Sequence, residues 1–258
     1  TRQGGVSVPP FDSFNLGDHV RDEALAVGAN RAQLAECLGA RPVFLSQVHG
    51  TEVLQLSADT VDASVADACV ASAPGLACTI MVADCLPVLF AHRSGAVVGA
   101  AHAGWRGLAG SGPAAASGAG VLETVFQAFA QAVQSQTGAG SLHQVAAQTL
   151  VWLGPCIGPD AFEVGVEVRE AFVRHRPEAD RCFTRIQPAA ETGAQKYLAN
   201  LPALARLRLA AMGLDRVFGN DGSSRWCTVS TPSRFFSHRR DALRLGSTGR
   251  MAACIWLG

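Results

Sequence analysis

Short apolar runs rich in β-branched residues constrain the fold of this chain most strongly. Three of them, PVFLSQV, ACTIMVADC and AVVGAAH, begin at positions 42, 77 and 96, and glycine or other turn residues bound each one. Runs of this length and composition predict buried strands. The segment LPVLFAH continues the pattern, and the RSGA after it predicts a hairpin turn. Further strands are predicted for QTLVWLGP at 148–155, RWCTVS at 225–230 and RMAACIWLG at the end of the sequence.

Helical patterns occupy the segments between these strands. VLETVFQAFAQAVQSQTG places Val121, Val125, Phe129 and Val133 four residues apart, and Gly138 is the predicted C-cap. VEVREAFVRHRP and YLANLPALARLRLAAMG are amphipathic as well. Because strands and helices mix without strict βαβ alternation, the sequence predicts one α/β (α+β) domain over residues 1–258 with a mixed sheet.

The balance of charges argues against two classes of partner. Lys+Arg and Asp+Glu both number 21, so no overall field attracts nucleic acid or an acidic membrane surface. The hydrophobic fraction of 48% and the charged fraction of 16% are typical of a compact globular protein. No stretch approaches the continuous apolar run of about 18 residues that a transmembrane helix needs. We therefore expect neither a nucleic-acid partner nor a membrane partner.

The cysteines and the start of the sequence indicate the compartment. The eight cysteines are scattered without a CxxC pair, and most have apolar neighbours. The polar, Gly/Pro-rich start lacks the basic-then-apolar order of a signal peptide. These features predict a cytoplasmic protein with reduced thiols, either a monomer or a small homo-oligomer.

His49, Cys85 and His102 each lie at the end of one of the apolar runs. If neighbouring strands bring the same ends together, these side chains converge at a sheet edge. Two imidazoles and a thiolate suit zinc, and three protein ligands leave a coordination position open for catalysis. The gaps of 36 and 17 residues match no zinc-finger pattern, so spacing alone leaves a second interpretation open, a core cysteine with two satisfied histidines.

Seven motifs together resemble the YfiH/DUF152 family over nearly the whole chain, from about residue 11 onward. They are SFNLGDH, LSQVHGTEV, VADCLPVLF, GAAHAGWRGLAG, WLGPCIGPDAFEVG, FFSHRRD and TGRMA. The family is variously called multicopper polyphenol oxidase (laccase-like), purine nucleoside phosphorylase and peptidoglycan editing factor. The resemblance implies a YfiH-like fold of mixed β-sheet layers flanked by helices, α/β/β/α in outline.

The same resemblance implies a metal and an activity. It assigns Zn²⁺ to His49, Cys85 and His102, with Cu²⁺ as an adventitious occupant of the same N/S site. It implies phosphorolysis of adenosine, inosine, guanosine or methylthioadenosine, together with deamination of adenosine. The expected partners are therefore a small purine nucleoside and phosphate, and the expected catalytic group is His49, Cys85, His102 and Asp84.

Other residues of these motifs are candidates for roles in the site, and some of them have a structural interpretation as well. Asp84 is either a proton acceptor, a group that orients a ligand, or a turn residue at a strand end. Arg106 either holds phosphate or stacks on the preceding tryptophan. Asn15, Ser46 and Gln47 are candidates for contact with a nucleoside.

The remaining motif residues are expected to be mainly structural. We interpret Cys156 as a packing residue, and Arg239 and Arg240 as partners of Asp241 in preference to an anion site. His238 stands where the family usually has tyrosine, so a family-wide role for that side chain is in doubt. The segment AGSGPAAASGAG at 109–120 is predicted to be a surface loop inserted beside the pocket.

Four rival functions are weighed against the nucleoside reaction. True laccase needs about ten histidines with HxH pairs, whereas this chain has seven histidines and no HxH. A cytidine-deaminase site is disfavoured because Pro155-Cys156 lacks the second cysteine of P-C-x-x-C. Two hydrolases stay open. One is metal-free with Cys85 as nucleophile and His49 or His102 as base, and the other removes misplaced L-Ser from a UDP-MurNAc peptide precursor.

Overall fold

A larger sheet of six strands carries most of the fold. In the computed structural model, which describes residues 1–110, 118–186 and 194–258, its strand order is β11-β7-β5-β6-β3-β2. Strands β5 and β6 pair antiparallel through the predicted hairpin turn, where Gly95 has a φ of 72°. The strands of this sheet are β2 (Val53–Gln55), β3 (Ala68–Ala71), β5 (Leu86–His92), β6 (Val98–Ala103), β7 (Thr149–Leu153) and β11 (Val217–Gly219).

A three-stranded sheet packs on one face of the larger one. It has the order β1-β4-β12, with β1 parallel and β12 antiparallel to β4. These strands are β1 (Arg41–Phe44), β4 (Leu76–Val82) and β12 (Met251–Trp256). Every residue of β4 is buried, because both faces of the strand are covered, and this explains its uninterrupted apolar sequence.

A third sheet is small and antiparallel, with the order β8-β10-β9. Its strands are β8 (Glu163–Gly165), β9 (Phe183–Ile186) and β10 (Lys196–Ala199). The helices are α1 (Ala24–Leu38), α2 (Trp105–Ala109), α3 (Val121–Thr137), α4 (Leu142–Ala147), α5 (Val166–Val173), α6 (Leu201–Ala211) and α7 (His238–Leu245). None of the helices in the described ranges is long and apolar enough to cross a bilayer.

Three apolar clusters define the layers. Helices α3 and α6 pack on one face of the larger sheet, where Phe90 and Phe129 have ring centroids 6.0 Å apart. Ile80 belongs to a second cluster that fills the space between the two sheets. Phe44 and Met81 form the third, against Leu34 of α1 on the outer face of the smaller sheet. The order of layers is therefore α/β/β/α, and the predicted α/β class with mixed sheets flanked by helices is confirmed.

Two of the predicted elements were wrong in part. The segment 225–230 is not a strand: Ser224–Trp226 form a short 3₁₀ helix, and Cys227 makes an isolated bridge. Asp221 accepts hydrogen bonds from the backbone and hydroxyl of Ser223, and such local bonds favour a turn over a strand. The predicted helix from residue 197 begins at Leu201, because the preceding residues form β10.

Candidate metal centre

The three candidate ligands meet at one end of the two packed sheets. His49 lies in the segment between β1 and β2, and Cys85 lies between β4 and β5, so both follow a strand of the smaller sheet and precede a strand of the larger. Because β1 and β4 are parallel, their carboxyl ends lie at the same edge. His102 is on β6, opposite Pro87 near the start of β5. The topology therefore brings together residues that are far apart in sequence.

The ligand atoms of His49, Cys85 and His102 all lie within 4.8 Å of one another. The Cys85 Sγ is 3.7 Å from the Nε2 of His49, and the two imidazole rings meet edge to face with centroids 4.8 Å apart. His102 is almost completely buried, Cys85 is half-buried, and His49 is the most exposed of the three. This is a compact set of two nitrogen donors and one sulfur donor, open on one side.

Asp67 positions two of the three ligands at once. Its buried carboxylate accepts a 2.8 Å hydrogen bond from Nδ1 of His102, which leaves the Nε2 of that ring for a metal. The same carboxylate accepts the backbone N–H groups of three successive residues, Val48, His49 and Gly50. These bonds fix the His49 backbone in a left-handed conformation with a φ of 61°.

The glycines of the GAAHAGWRG stretch make room for this arrangement. A Cβ on Gly104 would lie 2.7 Å from Cδ2 of His49 and 3.1 Å from Sγ of Cys85. A Cβ on Gly107 would lie 2.6 Å from the carbonyl oxygen of Gly50. Both distances are shorter than ordinary contacts, so the two glycines allow the His49 segment to approach the start of α2.

The pKa shifts within this group run in opposite directions. Burial alone raises the pKa of the Cys85 thiol, but His102 and His49 outweigh burial and lower it to about 6. Burial lowers the pKa of His102, whereas Cys85 and Asp67 raise it to about 9. Burial also raises the pKa of Asp67, but His102 and the backbone N–H groups it accepts lower it overall. A thiolate is the form of cysteine that binds metals and attacks electrophiles.

The three ligands line a cleft of about 530 Å³. Apolar side chains form part of its walls, and polar or charged side chains form the rest. The apolar ones are Leu45, Met81, Val82, Ala83, Trp105, Ile157, Phe162 and Leu201. The polar ones, besides the ligands, are His19, Gln47, Asp84, Arg106, His238, Arg239 and Arg250.

Asp84 lies in the cleft wall and is strongly tied to α7. It is nearly buried, has a φ of 92°, and accepts hydrogen bonds from the Thr228 hydroxyl and the backbone N–H of Arg239. Its backbone carbonyl accepts the N–H of Ile157. These contacts agree with the interpretation as a turn residue that shapes the site, because both carboxylate oxygens already accept a hydrogen bond.

The three residues expected to contact a nucleoside differ in their position relative to the cleft. Gln47 lines the cleft, but its amide exchanges two 2.8 Å hydrogen bonds with the backbone of Met81. Asn15 is fully buried outside the cleft lining, and its amide bonds Gly17, Asp22 and the backbone N–H of Arg250.

Ser46 is absent from the described cleft lining and forms an isolated bridge with Val65. Asn15 and Ser46 are therefore outside the described lining of the cleft, and their contact with a nucleoside stays a prediction.

The two neighbouring arginines of FFSHRRD differ in role. Arg240 pairs with Asp241 at 2.7 Å and donates to backbone carbonyls, which fits the structural interpretation. Arg239 lines the cleft and donates to the carbonyls of Glu163 and Ala161. Cys156 is buried and packs beneath the cleft, as expected.

The proposed insertion at 109–120 falls largely on residues 111–117, outside the described part of the chain. Its last residues are described, and Gly120 is the N-cap of α3.

Sequence reasoning missed three residues that matter for the site. Asp67 has no motif around it, and a signal for it appears only once β3 is placed antiparallel to β6, where Ala68 pairs with Ala101. His19 and Arg250 belong to the SFNLGDH and TGRMA motifs, which were recognised without a role for either side chain. Both of them line the cleft.

The donor set fits a metal ion of the zinc and copper group. Two imidazole nitrogens and one thiolate sulfur are the ligands these ions prefer, and the carboxylate on His102 matches the usual support of a metal-bound histidine. Within the described residues this is the one group of three or more His, Cys, Asp or Glu side chains close enough to share an ion. A centre of several coppers has no counterpart in that part of the chain.

The fold and the site together define an α/β/β/α protein with an open His–Cys–His cleft. The family model for the multi-copper polyphenol oxidoreductase laccase matches residues 1–258, and the chain belongs to this family, also known as YfiH/DUF152. The family resemblance read from the motifs is therefore confirmed.

Named relatives and solved structures agree with this assignment. The chain is 47% identical to a purine nucleoside phosphorylase of Pseudomonas aeruginosa, over 100% of this chain and 91% of that protein. It is 45% identical to the purine nucleoside phosphorylase YfiH of Escherichia coli K12, with the same coverage. A DUF152 crystal structure from Neisseria meningitidis superposes with a TM-score of 0.80 at 40% identity, over 100% of this chain and 91% of that one.

Proposed function

We propose that this chain is a zinc-dependent purine nucleoside phosphorylase. It transfers the ribosyl group of adenosine, inosine, guanosine or methylthioadenosine to phosphate, and it also deaminates adenosine. The observation that carries the proposal is the His49, Cys85 and His102 group at the base of a cleft. Relatives that are purine nucleoside phosphorylases by name, at 45–47% identity over the full chain, support the choice of reaction.

The cleft has the size and lining that a nucleoside needs. Its volume of about 530 Å³ lies within the range of about 300–1,000 Å³ typical of small-molecule sites. Trp105, Phe162 and Leu201 supply apolar surface for the face of a purine. Arg106, which is exposed at the rim and stacks on Trp105, would supply positive charge for phosphate.

His49, Cys85 and His102 would hold the zinc ion, and Asp67 would keep His102 in the tautomer that offers Nε2. When bound, zinc supplies a Lewis acid that stabilises negative charge on an oxygen of the substrate. The protein's own contribution is to fix the donors, through the bonds from Asp67 to His102 and to the His49 backbone. Closure of the site by apolar walls excludes bulk water and strengthens these electrostatic interactions.

The test combines metal content with two product assays. Protein purified without chelators should contain about one zinc per chain by elemental analysis. It should release adenine from adenosine when phosphate is present and form inosine without phosphate. His49→Ala, Cys85→Ala and His102→Ala should lose both metal and activity, whereas His143→Ala, which alters an exposed histidine of α4, should lose neither. Zinc without turnover of any nucleoside would refute the proposed reaction.

The low pKa of Cys85 favours a second candidate, a metal-free cysteine hydrolase with Cys85 as nucleophile and His49 as base. A pKa of about 6 makes the side chain largely a thiolate at neutral pH, and Nε2 of His49 is 3.7 Å from its sulfur. Metal analysis separates the two: a metal-free wild type whose activity is abolished by alkylation of Cys85 would support the hydrolase.

A third candidate, the hydrolase that edits a UDP-MurNAc-L-Ser precursor, is favoured by the cleft charge. Three lining arginines, Arg106, Arg239 and Arg250, form no salt bridge within the described ranges. An anionic substrate would compensate the positive charges of these three arginines. Release of L-serine from that precursor, with no turnover of nucleosides, would support this candidate.

A further inference from the structure

The three arginines of the cleft differ in how many of their donors are already in use. Arg239 donates both terminal nitrogens of its guanidinium to backbone carbonyls. Arg106 is exposed at the rim, with its guanidinium carbon 4.5 Å from the centre of the Trp105 ring. Arg250 is half-buried and donates through one terminal nitrogen alone among the described residues, to the carbonyls of Thr248 and Gly249.

Arg250 is also held in place from several directions. Its backbone N–H donates to Asn15 at 2.8 Å, and its carbonyl accepts the N–H of Leu16. A Cβ on Gly17 would lie 2.8 Å from Cγ of Arg250, so the glycine lets the aliphatic stem pack closely. The aliphatic stem and one terminal nitrogen of Arg250 are fixed. The side chain therefore loses little conformational entropy when its remaining N–H groups bind a ligand.

Arg250 and His19 line the same cleft as His49, Cys85 and His102. Burial lowers the pKa of Arg250, and the nearby negative charges of Cys85 and Asp84 oppose that effect. Burial and the charge of Arg250 lower the pKa of His19, whereas Asp18, with a carboxylate oxygen 3.5 Å from Nδ1 of that ring, raises it. The imidazole of His19 is therefore a second polar group of the cleft lining, in addition to the guanidinium of Arg250.

We infer that Arg250, with His19 beside it, is the principal binding group for the phosphate co-substrate, and that Arg106 contributes at the rim. This inference rests on the proposed phosphorolysis. A fixed guanidinium with free N–H groups matches the geometry of two phosphate oxygens, and Arg250 lines the same cleft as the His49, Cys85 and His102 group. The exposed Arg106 must lose side-chain freedom before it can make the same contacts.

Binding of inorganic phosphate to the purified, metal-loaded full chain tests this assignment directly by calorimetry. Arg250→Met should weaken phosphate binding about 10- to 100-fold, the usual effect of losing hydrogen bonds to a charged group. Arg250→Lys should have an intermediate effect, because lysine keeps the charge and loses the planar fork. Arg106→Met should weaken binding less than about threefold, and Arg225→Met, an exposed arginine paired with Asp221, should leave it unchanged.

Two outcomes would overturn the assignment: phosphate binding by both Arg250 variants at wild-type strength, or a larger loss in Arg106→Met than in Arg250→Met. Metal content and melting temperature show whether each variant is folded, and if Arg250→Met is not, Arg250→Lys decides. The assay does not depend on turnover. If phosphate binding requires Arg250 but the protein does not catalyse phosphorolysis, the proposed reaction alone is contradicted. If Arg250→Met catalyses phosphorolysis with an unchanged phosphate KM, this inference alone is contradicted.

Discussion

Two buried carboxylates, Asp67 and Asp84, organise the cleft in different ways. Asp67 contacts a candidate metal ligand directly, since it accepts from His102, and it also holds the His49 backbone. Asp84 accepts from a threonine hydroxyl and from the first turn of α7. The comparison teaches that similar burial and similar hydrogen bonding serve separate ends: one carboxylate sets the ligand geometry, and the other sets the position of a wall.

The largest effect should come from removing one of the candidate ligands altogether. Cys85→Ala eliminates the sulfur donor, so we expect bound metal to fall from about one equivalent to near zero. Cys156→Ala is the matched control, because Cys156 is a buried cysteine outside the ligand group. It should keep its metal while losing a little stability. Elemental analysis of both variants checks this, and metal retained in Cys85→Ala would contradict the assigned centre.

Replacement of Asp67 should weaken metal binding without abolishing it. In Asp67→Asn, an amide N–H₂ replaces a carboxylate oxygen that accepts an N–H group of His102 or of the 48–50 backbone. We therefore expect metal affinity to fall about 10- to 100-fold. Competition with a chromogenic chelator measures this. Asp62→Asn is the control, since Asp62 also accepts a backbone N–H, from Phe44, and lies outside the ligand group. Equal losses in the two variants would mean that Asp67 acts on stability alone.

The same substitution at Asp84 should leave the metal in place. Asp84→Asn disturbs the bonds to Thr228 and to the Arg239 backbone, which should lower the free energy of unfolding by about 1–3 kcal/mol. The KM for nucleoside should rise more than kcat falls, because α7 moves relative to the cleft. Denaturant unfolding, metal analysis and steady-state kinetics test this together. Metal loss comparable to that of Asp67→Asn would contradict the distinct roles of the two carboxylates.

The smallest effect concerns Asp241, within α7. Burial raises the pKa of this carboxyl, but Arg240 lowers it overall, so the native state favours the charged form. Its contribution to stability is therefore present above the pKa of the unfolded chain, near 4, and is lost as the pH falls through the lower native value. The difference in melting temperature between wild type and Asp241→Asn should shrink from pH 6 to pH 3. A constant difference over that range would contradict the shift.

Sequence patterns located the strands and the three residues of the His–Cys–His group better than the groups that support them. Buried runs such as ACTIMV and the ligands at their ends are visible because apolar runs and soft donors are local signals. Helix α1 gave none, since Val27 and Asn30 are its fully buried residues and form no apolar stripe. Asp67 depends on strand pairing, and the turn at 221–227 depends on hydrogen bonds between side chain and backbone, so neither follows from periodicity.

The segments that carry His49 and Cys85 each lead from one sheet to the other, and His102 belongs to the larger sheet. A metal held by all three residues therefore links the two packed sheets. The unfolded chain offers no such preformed set of donors. By mass action, a ligand that binds the native state alone adds about 2.7 kcal/mol when its free concentration is 100 times its dissociation constant. The heat resistance of this protein should consequently rise with free zinc, making its persistence in a cell a function of metal supply.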